Sequence, residues 1–326
     1  MLKEKKIQSI ARNNMMWFVL IVLIVLFGSL SPNFLTLTNL RNICTQESYF
    51  IVTSIGLGLI MISGGIDFSV GQCISVVAVC VATFLQWKNF PVWAAVMLGV
   101  LIGVALGCIN GILTGILQLY PMIVTIGTMT TFRGISYLIS NARTYHDLPR
   151  SYMIIGQGNL GPIPIAVVIT VAVALVAQLI LEFTCYGRFL YAVGGNAEAA
   201  RLSGINLKRV RFQIFLIGGL FYSIAAILKT SRGGSASSSI VSGIEFDAIT
   251  ACVMGGVSFR GGRGRVLGIV SGCLVLGVLS NGMQLLGIGN YIRYVVTGII
   301  MVFAVAYDTW SDRRKNQKIA SEQTLS

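Results

Sequence analysis

Three stretches limit what this chain can fold into: 15–30 (MMWFVLIVLIVLFGSL), 92–117 and 163–181 are almost unbroken apolar runs. About 17–25 such residues cross the hydrocarbon of a bilayer. Lipid offers backbone N–H and C=O groups no partner, so only helices or closed barrels span it, and these runs are far too long for barrel strands. Charge agrees: 11% of the 326 residues are charged, against roughly 25% in a soluble domain, and the mean hydropathy is +0.81. The expected fold class is an all-α polytopic membrane protein. Hydropathy and loop signals predict about ten transmembrane helices, at 16–31, 46–63, 68–86, 92–117, 121–140, 163–182, 209–229, 245–258, 266–286 and 291–308. Residues 16–308 then form one membrane domain, flanked by a cytoplasmic N-terminal segment (1–15) and a polar cytoplasmic tail (309–326).

A basic start followed by an apolar run resembles a secretion signal, but no small-x-small cleavage site follows, so the first span is expected to stay. With the N-terminus in the cytoplasm, sixteen of the 24 basic residues fall on the cytoplasmic side: Lys3, Lys5, Lys6, Arg12, Arg188, Arg201, Lys208, Arg209, Arg211, Arg260, Arg263, Arg265, Arg313, Arg314, Lys315 and Lys318. That asymmetry satisfies the positive-inside rule, and an odd span count would spoil it. Topology thus accounts for the net charge of +13, and no nucleic-acid partner is expected. The seven cysteines form no C-x-x-C pair and lie mostly in apolar runs. Neither a disulfide framework nor a metal site is indicated, and no cofactor is expected.

Catalytic chemistry finds no foothold. The one histidine, His146, stands in an outer loop with no nucleophile arranged around it, and no G-x-x-x-x-G-K-[ST] occurs. The glycine-rich GGVSFRGGRGR (255–265) lacks the Lys-Ser/Thr ending and joins two spans, so it reads as a tight turn with anchoring arginines. Gly99, Gly103, Gly107, Gly111 and Gly115 recur every fourth residue, a small-xxx-small ladder that suits close helix packing in lipid. Charge inside a membrane is expensive and tends to be functional. Asp67, with Ser69, stands at a break between the second and third spans (SGGIDFSVGQ), placed either to cap the third span or to line a path or its gate. Arg133 lies about 18 Å along its span at 1.5 Å per residue, and needs a partner or water there. Asn110, Thr125, Thr128 and Asn281 give polar edges to other spans, as helix-tying groups or path residues. Ser242 and Glu245 have capping-box spacing, with Asp247 adding charge to the same helix start.

One polar stretch remains, YAVGGNAEAARLSGINLKR (191–209), inside a cytoplasmic loop at about 183–208. Asn196 suits an N-cap, Ala197, Glu198, Ala199, Ala200 and Arg201 are helix formers, and Gly204 after Ser203 suits a C-terminal stop. So short a helix is unstable alone, which points to docking on something, or to an interfacial loop.

The chain resembles the membrane subunits of ribose-type monosaccharide ABC importers. GGIDFSVG, NGILTGIL, PMIVTIGTMTTFRGISYL, GRFLYAVGGNAEAARLSGI, GIEFDAITACVMGGVSFRGGRGRVLG and GVLSNGMQLLGI stand in that family's order, over roughly 33–307. At LQLYPMIV the sequence departs from the basic residue and two prolines that many relatives carry. The resemblance implies a permease of the ribose/branched-chain amino acid type in a bacterial inner membrane, both termini cytoplasmic. It implies a second permease subunit, a cytoplasmic ABC ATPase subunit and an extracytoplasmic sugar-binding protein as partners. Gly194, Gly195, Asn196 and the residues to Gly204 would then be the ATPase-coupling helix, and the chain a transport subunit rather than an enzyme. A same-fold importer of branched-chain amino acids, nucleosides or a furanosyl signal is the near alternative, and an autonomous ion-coupled transporter or channel the distant one.

Overall fold

The computed structural model describes residues 15–87, 90–289 and 291–306. The expected cytoplasmic termini, including the tail from 309 to 326, lie outside the described residues, apart from Met15.

The chain folds into helices named here in order: α1 (Met15–Leu30), α2 (Leu37–Ile62), α3 (Val70–Gln86), α4 (Val92–Gly111) continued by a π turn (Ile112–Ile116), α5 (Pro121–Ser140), α6 (Arg150–Gln157), α7 (Ile165–Phe183), α8 (Cys185–Gly195), α9 (Ala197–Leu202), α10 (Leu207–Gly233), α11 (Ile244–Met254), α12 (Val266–Leu285) and α13 (Tyr291–Ala306). Among the described residues, six helices are long and apolar enough to cross a membrane: α2, α4 with its π turn, α5, α7, α10 and α12. The apolar helices α1, α3 and α13 are shorter, and α11 has only 11 residues. At 1.5 Å per residue α11 covers about 16 Å, half of a hydrocarbon core of about 30 Å.

The centre is α2, buried on every side from 50 to 62, wrapped by α7, α10, α11 and α12. On the flank, α4, α5 and α7 keep one apolar face exposed, as lipid-facing or subunit-facing helices do. The glycine ladder shows why α4 sits so close to α10. A Cβ on Gly103 would stand 2.6 Å from Ser223 Cβ and 2.8 Å from Gly219 O, and one on Gly111 would stand 2.8 Å from Phe212 O. Gly107 faces Phe215 O and Gly219, and Gly115 faces Phe212 and Lys208, while Gly99 faces Val81 of α3 instead. Fourth-residue spacing drifts round a helix of 3.6 residues per turn. The wider π turn offsets that drift and keeps Gly115 on α10.

Three expectations need correction. The second helix begins at Leu37, nine residues before the expected start, because Thr36 Oγ1 caps it by accepting from Asn39 N. The segment 141–162, left as loop, holds α6 and one side of a two-stranded hairpin, β1 (Asn159–Leu160) paired with β2 (Ile163–Pro164). The Ser242–Glu245 capping box does not form. Gly243, at φ +86°, opens α11 with no side-chain cap, and Ser242 Oγ donates to Ser239 O instead.

Candidate functional site

The break between α2 and α3 is held by a buried polar chain. Asp67 Oδ1 accepts from Ser69 N at 2.8 Å and from Ser69 Oγ at 2.6 Å. Asn110 Nδ2 of α4 donates to Ser69 Oγ at 2.8 Å, and Thr125 Oγ1 of α5 donates to Ile66 O at 3.2 Å. Asp67, Ser69, Asn110 and Thr125 are all buried. Asp67 therefore satisfies the residue before α3 rather than the helix's own first N–H groups; Ser69 is the N-cap and makes no side-chain cap. Thr128 bonds back to Thr125 O one turn along.

The other candidates stand elsewhere. Arg133 lies on the exposed face of α5, and Asn281 forms a reciprocal amide pair with Asn39, Nδ2 to Oδ1 at 2.9 and 3.0 Å, tying α12 to the start of α2.

The same break touches the polar cytoplasmic stretch. Gly194, at the end of α8, leaves no room for a Cβ against Ile62 O, and Gly262 N donates to Ile62 O at 2.8 Å. A Cβ on Gly261 would stand 2.7 Å from Gly64 Cα and 2.9 Å from Gly194 O. Gly64, Gly261 and Gly262 have φ of +85°, +88° and +73°, a left-handed region that glycine enters without penalty. Three backbones thus meet with nothing between them: the end of α2, the end of α8 and the turn from α11 to α12. The stretch GGVSFRGGRGR is a tight turn, and this junction is what it is tight for.

From the junction projects α9. Asn196 Oδ1 accepts from Ala199 N at 3.0 Å; at the far end Ile205 N donates to Ala200 O and Gly204 N to Arg201 O, with Gly204 at φ +84°. Arg201 and Glu198 form a bidentate pair, Nε to Oε2 at 3.0 Å. The guanidinium beside it holds the Glu198 carboxyl below its ordinary range, and the carboxylate raises Arg201 in turn. Gly195, Asn196, Glu198, Ala199, Arg201, Ser203 and Gly204 are exposed and Ala197 half-buried, whereas Ala200 is only 5% exposed and packs on its own chain. The side chain most obviously waiting for a surface is Leu202, 76% exposed.

Leu202 lies inside the expected coupling stretch but was not singled out there, because a leucine in a helix-forming stretch reads as helix former. Also missed was a charged group in the half of the bundle away from the glycine junction. Glu47 of α2 is buried against Gly277 of α12, and Lys229 Nζ of α10 sits 4.3 Å from the Tyr49 ring centroid. The charges acting on Glu47 are Lys229, Arg293, Arg232 and Asp247, from three further helices.

A family model described as branched-chain amino acid transport system / permease component matches residues 39–305. The chain is 36% identical to the ribose import permease protein of Bacillus subtilis, covering 89% of this chain and 90% of that protein. It is 31% identical to the galactose/methyl galactoside import permease protein of Haemophilus influenzae, covering 96% and 99%. To the L-arabinose transport system permease protein of Escherichia coli it is 36% identical, covering 91% of each. No solved structure matches.

Proposed function

The chain belongs to the branched-chain amino acid transport system / permease component family, and from that premise we propose that it is the membrane-spanning subunit of an ATP-driven monosaccharide importer. The observation that carries the cargo is the set of relatives matched over nearly their whole length, which are permeases for ribose, galactose and arabinose. The sugar is received from an extracytoplasmic binding protein, crosses about ten spans and leaves to the cytoplasm of a bacterial inner membrane, where both termini lie.

ATP hydrolysis belongs to a separate cytoplasmic subunit, since this sequence carries no P-loop. That subunit grips α9 through Leu202, Ala199 and the Glu198–Arg201 pair. Support for this docking is the exposure of those residues together with the glycine junction behind them. A displacement of α9 reaches Gly64 through backbone contact alone, and Asp67 lies three residues further on. ATP-driven shifts between inward- and outward-facing states need a bistable element of this kind.

A second permease subunit packs against the exposed face of α5. Arg133 supports this, because a mid-helix arginine facing lipid would be costly. No Cβ neighbours lie within 4 Å of Gly127 or Gly134 on the same helix, so that face has room for close approach.

The test is co-purification. The chain, expressed with its ATPase and binding protein, is expected to bring down both, and mass spectrometry of the binding protein is expected to find a monosaccharide. An amino acid or nucleoside there would overturn the cargo assignment.

A further inference from the structure

Two helices of this chain begin inside the membrane body, and their N-termini meet. α3 starts at Val70 and α11 at Ile244, and neither start has a side-chain cap. A Cβ on Gly71, in the first turn of α3, would stand 2.8 Å from Glu245 Oε2, 3.1 Å from Ile244 Cγ2 and 3.3 Å from Val241 O. Glu245 is therefore held between two helix N-termini, each carrying about half a positive charge. It is 2% exposed, and its Oε2 has no hydrogen-bond partner; Gln72, one residue past Gly71, is buried with its Oε1 equally unpartnered. Buried acceptors without donors are rare in folded proteins. A buried carboxylate oxygen without a donor at a helix crossing marks a place whose hydrogen bonds are completed by something outside the chain.

The open side of the crossing has its own chemistry. Next to each acidic residue stands a phenylalanine, Phe68 after Asp67 and Phe246 after Glu245, and their rings pair across the crossing with centroids 6.1 Å apart at 58°. Phe246 is 48% exposed, Ser242 is exposed and Asp247 is half-buried. Uncapped helix starts are not tolerated against lipid; at membrane depth they line protein or a polar cavity.

We propose that the crossing of α3 and α11 is a monosaccharide subsite on the transit path. Phe68 and Phe246 receive the C–H face of the sugar ring, and Asp247 and Glu245 accept hydrogen bonds from its hydroxyl groups. The inference rests on the sugar-importer reading and adds to it where the cargo passes and which cargo is refused. Glu245 already supplies the negative charge that two helix ends attract, so a neutral polyol fits and a sugar phosphate or sugar acid meets a like charge.

The experiment uses the whole importer, permease with ATPase and binding protein, in proteoliposomes. Phe246→Ala is expected to lower radiolabelled monosaccharide uptake per ATP hydrolysed about tenfold, the effect of losing one apolar contact in a site. Complex assembly and stimulation of the ATPase by loaded binding protein should stay at parent levels, and Phe246→Tyr should restore more than half of the uptake. Phe68→Leu, measured the same way, decides the matter where Phe246→Ala fails to assemble. Uptake per ATP equal to the parent in the assembled variant overturns the subsite while leaving the importer reading intact. A parent complex that moves no monosaccharide overturns both.

Discussion

Gly103→Ala tests whether α4 and α10 are held together by direct backbone approach. The added Cβ would meet Ser223 Cβ at 2.6 Å and Gly219 O at 2.8 Å, whereas carbon atoms rest at about 3.5–4.0 Å. The serine carbon and the carbonyl oxygen are both fixed to α10, so the helices must part by about 1 Å. Overpacking of this kind costs about 1–3 kcal/mol, and alanine recovers about 0.5–1 kcal/mol of helix propensity over glycine. The net loss is about 1 kcal/mol, within a range of about 0–2.5 kcal/mol. Gly28→Ala is the control: its Cβ would stand 3.0 Å from Leu35 Cδ1, the free end of a side chain that can turn away. There the propensity gain stands nearly alone. At roughly 2–4 °C per kcal/mol for a chain of this size class, thermal unfolding in detergent should put Gly103→Ala several degrees below the parent and Gly28→Ala at or above it. A Tm for Gly103→Ala equal to that of Gly28→Ala would refute the packing argument.

Leu202→Ala should weaken ATPase pull-down and transport together with little loss of thermal stability, because the side chain is 76% exposed. Ala200→Trp should lower stability as well, because that site is filled; equal stability in both variants would contradict the orientation given to α9. Asp67→Ala strips the acceptor from Ser69 N and Oγ in a buried site, a loss of about 1–3 kcal/mol for an unsatisfied donor, while Asp67→Asn keeps an oxygen there and should lose less; a parent-like Tm for the alanine variant would count against the network. The Glu198–Arg201 pair sets a pH expectation. A carboxyl held below its ordinary range contributes above that range and stops contributing as pH falls through its lowered value. ATPase binding should therefore be flat between about pH 5 and 8 and decline only in more acid buffer, and loss between pH 7 and 6 would point to another group.

The ladder and the cap of α9 were legible because both are local. Glycines at fourth positions speak for themselves in a helix, and Asn196 needs only the N–H of Ala199, three residues on. The start of α11 was misread for the opposite reason. Ser242 and Glu245 have capping spacing, but Gly243 turns left-handed and sends the glutamate across to Gly71, a partner 174 residues away in sequence. Which face of α9 packs inward depends on α8 and α10, so Ala200 and Leu202 could not be told apart from composition. Glu47 was missed because it stood second in the expected span 46–63, where a carboxylate reads as a helix end at the membrane surface; with α2 starting at Leu37 it lies well inside the helix and is buried.

Reconstitution separates a subunit of an ATP-driven importer from a carrier that works alone. The purified chain goes into proteoliposomes alone, then with the ATPase subunit, then with the loaded binding protein outside and ATP inside the compartment that holds the ATPase. Labelled monosaccharide should accumulate only when all three proteins and ATP are present. Accumulation by the chain alone, driven by an ion gradient, would contradict the importer reading.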